Sequence, residues 1–338
     1  MKNNWLTLKS LFLCVSALSV SGLILSGCTE NANLNVGEWS LEYDAHANGI
    51  DISKGSKLIY DNVYAAYKLA DSVVSTRDYA KHHVSTRKIN DHFGEGYHYE
   101  VTYTGNNLPV LVQTLESTSE MASNYMAPVN VDRMSEVLNQ GENNRALFIP
   151  FDNDCWIRYQ SHPLTFTELT SYEVTAIFNN DDREAMVIGS VEHDSWKTGI
   201  TIGKGNIYNV GSLVCYGGVA DKTTRDSKPH GALKGTTIKS PKILVGFFED
   251  WREGMEEYAQ ANAVIAPPKA WDKAVPFGWN SWGALQFNLT YPKALEVSDF
   301  YKENLQSHHF VNSDNLVYTG LDSGWNSFSE EELKAFVD

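Results

Sequence analysis

Two short runs carry residue types able to hold a sugar. "VPFGWNSWGAL", residues 275–285, sets Trp279 and Trp282 three apart with Asn280 between them, at the end of an apolar run. "LDSGWN", residues 321–326, follows a second apolar run and carries Asp322 and Trp325. An indole offers a flat apolar plate that packs on the C–H face of a pyranose ring. A carboxylate accepts hydrogen bonds from two neighbouring hydroxyls, and a site built that way rejects an analogue lacking them, because its own polar groups are left unpaired. Trp and Asp at neighbouring strand ends therefore read as a monosaccharide pocket. The same tryptophans would also serve as packed core. The Asp-ended second run favours the pocket for Trp282 and Asp322, while Trp279 packs inward as readily as outward. Asn280 and Trp325 complete the candidate set.

Those residues need elements that bring them together. From residue 275 the pattern alternates strand and helix. Val275–Trp282 reads as a strand with its loop, and residues 292–306 as a helix with Thr290 as cap and Ala294, Val297, Tyr301 and Leu305 as its apolar stripe. "NLVYTGL", residues 315–321, lacks charge, as a buried parallel strand does. "SEEELKAFV" opens a second helix, with Ser329 and Glu332 forming a capping box and Leu333, Phe336 and Val337 facing inward. Two such units suit the opening of a (β/α)₈ barrel, which places functional side chains where strands end and needs about 250 residues. The expectation is a chain cut within that barrel.

Upstream, residues 37–265 read as an antiparallel β-sandwich. "GYHYEVTYTGNNLPVLVQTLE" alternates Tyr97, Tyr99, Val101 and Tyr103 with His98, Glu100, Thr102 and Thr104, then turns at residues 105–107. "SYEVTAIFNN" places Tyr172, Val174, Ala176 and Phe178 on one face. "RALFIPFDND", "AMVIGSVEHD" and "SLVCYGG" are further short strands ended by Gly, Asn or Asp, and many such strands argue for a sandwich. "DWREGMEEYAQANAV" has Trp251, Met255 and Tyr258 at helical spacing, and residues 266–274, opening with "APPKAW", form a proline-stiffened linker.

The chain has 338 residues, enough for two domains, and a formal charge of −15, which disfavours a nucleic-acid partner. Residues 1–28 read as an export signal: Lys2 and Lys9 precede the apolar run Leu11–Leu25, shorter than the ~20 residues a membrane-spanning helix needs. The run ends in "LSGC", which resembles a bacterial lipobox; that implies lipidation of Cys28, a tether over residues 29–36, and a periplasmic or outer-membrane-anchored protein. Of four cysteines, Cys14 leaves with the signal and Cys28 is acylated, so Cys155 and Cys215 remain, as one disulfide or as two buried thiols. No Cys/His spacing suggests zinc, and no phosphate loop or Ser/His/Asp motif is evident; neither metal nor cofactor is expected.

"PFGWNSWG" and "VYTGLDSGWN" resemble the first two strand ends of the α-galactosidase (melibiase) clan, which includes glycoside hydrolase families 27 and 36. "LFIPFDND", "GSVEHDSWKTGI" and "GFFEDWREGMEEYAQAN" resemble the sandwich preceding the barrel in bacterial family-36-like members. The resemblance implies retaining cleavage of terminal α-linked galactose or a related sugar by two aspartates, whose carboxyl groups must stand about 5–5.5 Å apart. In the family the nucleophile ends the fourth strand, after Lys-x-Asp, and the acid/base lies near the sixth. Neither strand falls within residues 1–338, so no aspartate here takes those roles. The second Trp of the first motif stacks on sugar in the family, matching Trp282. The second motif usually reads Asp-Asp-Gly-Trp. Asp322 matches its first aspartate, while Ser323 replaces the second and leaves the sugar open.

Other polar runs have plainer readings. Asp152 and Asp154 in "PFDND" suit a calcium loop, a sandwich loop reaching the barrel pocket, or an ordinary Asx turn. His193, Asp194, Trp196 and Lys197 suit acid/base chemistry or a strand-end hydrogen-bond network; His308 and His309 suit a solvated helix end. The same residues also suit two rival functions: a surface carbohydrate-binding lipoprotein without catalysis, and a hydrolase for another α-glycoside.

Overall fold

The computed structural model describes residues 33–338 apart from 45, 48, 79–86, 89–95, 135, 140, 152–156, 207 and 221–230; for 33–34, 78, 87–88 and 96–103 it describes the backbone alone. The chain forms two compact units, one ending at Pro267 and the other running Pro268–Asp338.

The first unit is mostly β and built on two antiparallel sheets. Across the first sheet the strands run Asn33–Val36, Trp39–Asp44, Gly49–Lys54, Lys57–Leu69, Met126–Val131, Val210–Gly217, Thr198–Lys204 and Glu168–Tyr172, with Ser72–Ser75 also paired to Lys57–Leu69. Across the second they run Gln160–Pro163, Asn144–Phe148, Val174–Asn179, Ala185–Ser190, Ile243–Phe248, Pro109–Ser123, Gly96–Tyr103 and Arg87–Lys88, with Leu233–Lys239 also paired to Pro109–Ser123. Leu41, Ile52, Ile59, Val63, Ile200 and Leu213 from the first sheet and Leu111, Leu115, Ile188 and Val245 from the second join one buried cluster. Each such side chain contributes about 1.5–3 kcal/mol by leaving water. The strand expected from "GYHYEVTY" is present as backbone, and the two faces of its side chains lie outside the described residues.

The helix Trp251–Ile265 packs on the second sheet, against Ala185–Ser190, Ile243–Phe248 and Val174–Asn179. Asp250 caps it by accepting the Arg252 N–H. All three of those strands are buried at every position, on the outer face by the helix and on the inner face by the core. Polar positions survive there by finding partners: Thr175 donates to the Leu147 carbonyl, and Asn179 donates to Asn144 Oδ1. Trp251 lies 5.6 Å from Phe178, and the Tyr258 hydroxyl donates to the Ser190 carbonyl at 2.7 Å.

"SYEVTAIFNN" does not run as one strand. Glu173 adopts a left-handed backbone, φ 64°, and the chain passes from the first sheet to the second at that residue. Tyr172 consequently packs with Phe151 and Val219, apart from Val174, Ala176 and Phe178 in the main core.

The Glu173 carboxylate also organises this corner. It accepts the Thr198 N–H at 3.0 Å and stands 2.7 Å from His193 Nδ1, while His193 Nε2 lies 2.6 Å from Asn262 Oδ1 on the helix. Asn262 is oriented by donating to the Tyr258 carbonyl. Both imidazole nitrogens thus face acceptors, which suits the charged ring. The Glu173 hydrogen bond, working against partial desolvation, raises the His193 pKa above its ordinary value. His193 therefore behaves as a strand-end hydrogen-bond residue. A folded pKa above the unfolded one stabilises the fold fully below about pH 6.5, and the gain is lost as pH rises through the folded value. With His193 41% exposed, screening limits it to about 1 kcal/mol at most. We expect His193→Gln to lower the urea midpoint at pH 5.5 and to match wild type at pH 9; an equal loss at both pH values would contradict this account.

In the second unit, Gly278–Asn280 and Tyr318–Gly320 pair in parallel, Gly278 opposite Tyr318 and Asn280 opposite Gly320. The strands are shorter than the apolar runs suggest. A Cβ at residue 278 would stand 1.9 Å from the Tyr318 carbonyl oxygen, so glycine there lets the two strands meet. The connection holds the helix Tyr291–Phe300, which is shorter than the expected 292–306 because it widens into a π turn over Tyr301–Leu305 and ends in a 3₁₀ turn, Gln306–His308. The wider turn moves Tyr301 and Leu305 off the 3.6-residue stripe, and Tyr301 packs near Phe310, ring centroids 6.3 Å apart. Thr290 occupies the N-cap position, but its side chain makes no capping bond; Pro292 in the first turn removes one of the donors it would serve. The final helix, Glu330–Val337, has the full Ser329–Glu332 capping box. Leu333 and Phe336 pack on Leu289, Ala294 and Phe328, whereas Val337 points outward, 84% exposed.

Candidate functional site

The parallel register puts the ends of the two strands side by side. The first strand runs directly into the short helix Ser281–Ala284, which carries Trp282. The second runs into Leu321 and Asp322. Trp282 is half-buried and meets Phe287 edge to face, ring centroids 4.9 Å apart; Phe287 itself is 78% exposed. Trp279 packs against the Leu289–Ala294–Phe328 core. Trp325 is exposed at the start of a 3₁₀ turn, its N–H donating to the Asp322 carbonyl.

Asp322 is half-buried and held on three sides. Its carboxylate accepts the Ser323 N–H at Oδ1, 2.6 Å, and the Asn280 side-chain amide at Oδ2, 3.0 Å. Its own N–H donates to Ser281 Oγ at 2.8 Å. The Ser323 N–H first, and the Asn280 amide second, hold the carboxyl below its ordinary pKa. It is therefore an ionised acceptor at neutral pH, with lone pairs to spare for ligand hydroxyls. Of the five sequence-chosen residues, Asn280 and Asp322 bond directly, Trp282 bonds Asn280 through its backbone N–H, and Trp325 bonds Asp322 through its backbone. Trp279 stands in the same strand but faces the small core.

Sequence reasoning missed Ser281. It is fully buried, and its hydroxyl fixes the backbone of the neighbouring strand end. A small hydroxyl residue between Asn280 and Trp282 was its one signal. Among the described residues, no group of three or more His, Cys, Asp or Glu is placed to hold a metal ion. Asp152, Asp154, Cys155 and Cys28 lie outside the described residues. Cys215 is a free, fully buried thiol whose pKa burial pushes well up, which makes it unreactive. No helix among the described residues is long and apolar enough to cross a membrane.

No family model matches this chain, and no curated protein does. Solved structures do resemble it. A β-arabinopyranosidase is 13% identical at TM-score 0.44, covering 89% of this chain and 52% of its own. The α-N-acetylgalactosaminidase NagBb from Bifidobacterium bifidum, in its GalNAc complex, is 9% identical at TM-score 0.45, covering 86% and 51%. A glycoside hydrolase family 97 enzyme from Pseudoalteromonas sp. strain K8 is 11% identical at TM-score 0.41, covering 84% and 46%. The chain thus spans about half the length of these glycoside hydrolases. At such identities and TM-scores the likeness decides neither family nor chemistry, and the reading of the site rests on its own residues.

Proposed function

We propose that this chain is the sandwich and barrel opening of an exported, lipid-anchored glycoside hydrolase, α-galactosidase-like, that removes a terminal α-linked galactose or a related sugar with retention. Trp282 supplies the plate for the sugar's C–H face, and Asp322 accepts two of its hydroxyls. Asn280, Trp279 and Trp325 frame them. The nucleophile and the acid/base lie on later strands of the barrel, beyond Asp338. No cofactor enters the reaction. Cys28 carries the anchor.

The observation that carries this reading is the ionised Asp322 at a strand tip next to the one that presents Trp282, bonded across to Asn280 at 3.0 Å. The apolar faces of Phe277, Leu316 and Tyr318, between 37% and 47% exposed, suit barrel staves that further strands and helices cover. Ser323 keeps a hydroxyl where a second carboxylate is usual in the resembled clan, so a related sugar competes with galactose for this site.

The test separates binding from chemistry. Residues 29–338 are expected to bind methyl α-galactoside and to give no measurable turnover of an aryl α-galactoside. Turnover by this fragment would contradict the assignment of the carboxylate pair to later strands. A panel of aryl glycosides on a protein extended through the barrel then identifies the sugar.

A further inference from the structure

We propose that Asn280 is a positioning residue that sets Trp282 and Asp322 in one frame; this deepens, and rests on, the sugar-binding reading above. The Asn280 side-chain amide has one oxygen and one NH₂ group, and each already makes a bond within the protein, leaving one N–H and one lone pair over. Oδ1 accepts the Trp282 N–H at 2.8 Å, which caps the short helix Ser281–Ala284. Nδ2 donates to Asp322 Oδ2 at 3.0 Å. The partners dictate the orientation of the amide, since a backbone N–H can only donate and a carboxylate can only accept.

The double duty explains the residue type. Asp and Ser cap a helix about as well as Asn does, and Thr somewhat less well. Aspartate would bring a second negative charge against Asp322 and has no donor when ionised. Serine and threonine offer a single oxygen, which cannot reach both partners. Asparagine carries an acceptor and a donor on one short, nearly rigid stem. The strand register supplies the rest: Asn280 stands opposite Gly320, so Asp322, two residues on, comes within reach of its amide.

Asp322 is then fixed from two directions, by the neighbouring strand through Asn280 and Ser281 and by its own chain through Ser323. Each carboxylate oxygen has one protein donor and keeps lone-pair capacity for a ligand hydroxyl. Loss of the Asn280 donor would free the carboxylate to swing, while the Trp282 helix stayed capped if an oxygen remained. The distance between plate and acceptor, which a pyranose must match, would no longer be set.

Asn280→Ser makes that separation, because serine keeps a cap oxygen and removes the donor. On residues 29–338 we would record the Asp322 carboxyl titration by ¹³C NMR, methyl α-galactoside affinity by calorimetry, and hydrogen-exchange protection of the Trp282 amide. The expected result is an Asp322 titration raised toward the ordinary carboxylate value, affinity weakened about tenfold, and the Trp282 amide still protected. An Asp322 titration identical to wild type overturns the inference, and so does wild-type affinity beside a shifted titration. A wild-type protein with no affinity for the glycoside defeats the sugar reading by itself, and the titration then decides alone whether Asn280 sets Asp322.

Discussion

Asp322→Asn is expected to abolish practical sugar binding, lowering methyl α-galactoside affinity by about a hundredfold while leaving the fold intact. The substitution is nearly isosteric, so the loss does not come from volume. It comes from donor–acceptor arithmetic. Each oxygen of Asp322 faces a protein donor, the Ser323 N–H at Oδ1 and the Asn280 amide at Oδ2. An asparagine at 322 has a single oxygen, so in either orientation its NH₂ confronts one of those donors. The variant also presents one acceptor fewer to a sugar diol and no charge to strengthen the bonds it does make. Calorimetric titration measures the effect, and an unchanged thermal melt of each unit shows that the fold survives. Affinity within twofold of wild type would remove Asp322 from the site.

The pH dependence should point the same way. Because its donors hold Asp322 below the ordinary carboxylate value of 3.8, the ionised form persists into acid. Binding should therefore stay constant from neutral pH down to about pH 4 and weaken only below it. A fall centred well above that value would assign the titrating group to another residue.

The helix Trp251–Ile265 was legible because hydrophobic period changes from two to about 3.6 near residue 250, a signal that survives without any knowledge of partners; the helix belongs to the first unit, so that change does not mark the boundary at Pro267. The sheet switch at Glu173 was not legible. "SYEVTAIFNN" alternates from Tyr172 through Ala176, and the left-handed backbone at Glu173 falls between two residues of that stripe, Tyr172 and Val174. Alternation also implies a solvated face, yet Thr175, Ile177 and Asn179 are as buried as their neighbours, because a helix some seventy residues later in the chain covers that sheet. Burial imposed by a distant element leaves no local trace beyond small or bondable residues at the seam.

The site shows a similar split. Trp282 and Asp322 could be chosen from residue type and strand-end position. The role of Asn280 could not, because it depends on which residue of the second strand stands opposite it. The signal in reach was weaker: an Asn directly before a Ser-Trp-Gly turn of helix is a natural cap. The π turn at Tyr301–Leu305 had none, since the stripe of Ala294, Val297, Tyr301 and Leu305 fits an unbroken α-helix equally well.

The largest stability effect is expected at Gly254, where local propensity predicts the wrong sign. Alanine is favoured over glycine inside a helix by about 1 kcal/mol, so Gly254→Ala in the helix Trp251–Ile265 would ordinarily stabilise. Here an added Cβ would sit 2.6 Å from Phe248 Cδ2 and 2.7 Å from Val187 Cγ2. Neither neighbour can step aside easily: Val187 is fully buried in a strand paired on both edges, and Phe248 is 9% exposed in the next one. The helix would have to lift from the sheet, loosening Trp251 from Phe178 and the Tyr258 hydroxyl from the Ser190 carbonyl. Overpacking of this kind costs about 1–3 kcal/mol, which exceeds the propensity gain at most of that range. Gly189 lies on the facing strand beneath the same helix, where a Cβ would stand 2.6 Å from Tyr258 Cε2, so Gly189→Ala should destabilise as well. Gly283 provides the control: nothing lies within 4 Å of a Cβ there, and Gly283→Ala should be neutral or mildly stabilising to the second unit. Urea unfolding, followed by a probe in each unit, separates the three. A raised midpoint for Gly254→Ala would mean that helix and sheet stand farther apart than the steric seam at Gly189 and Gly254 requires.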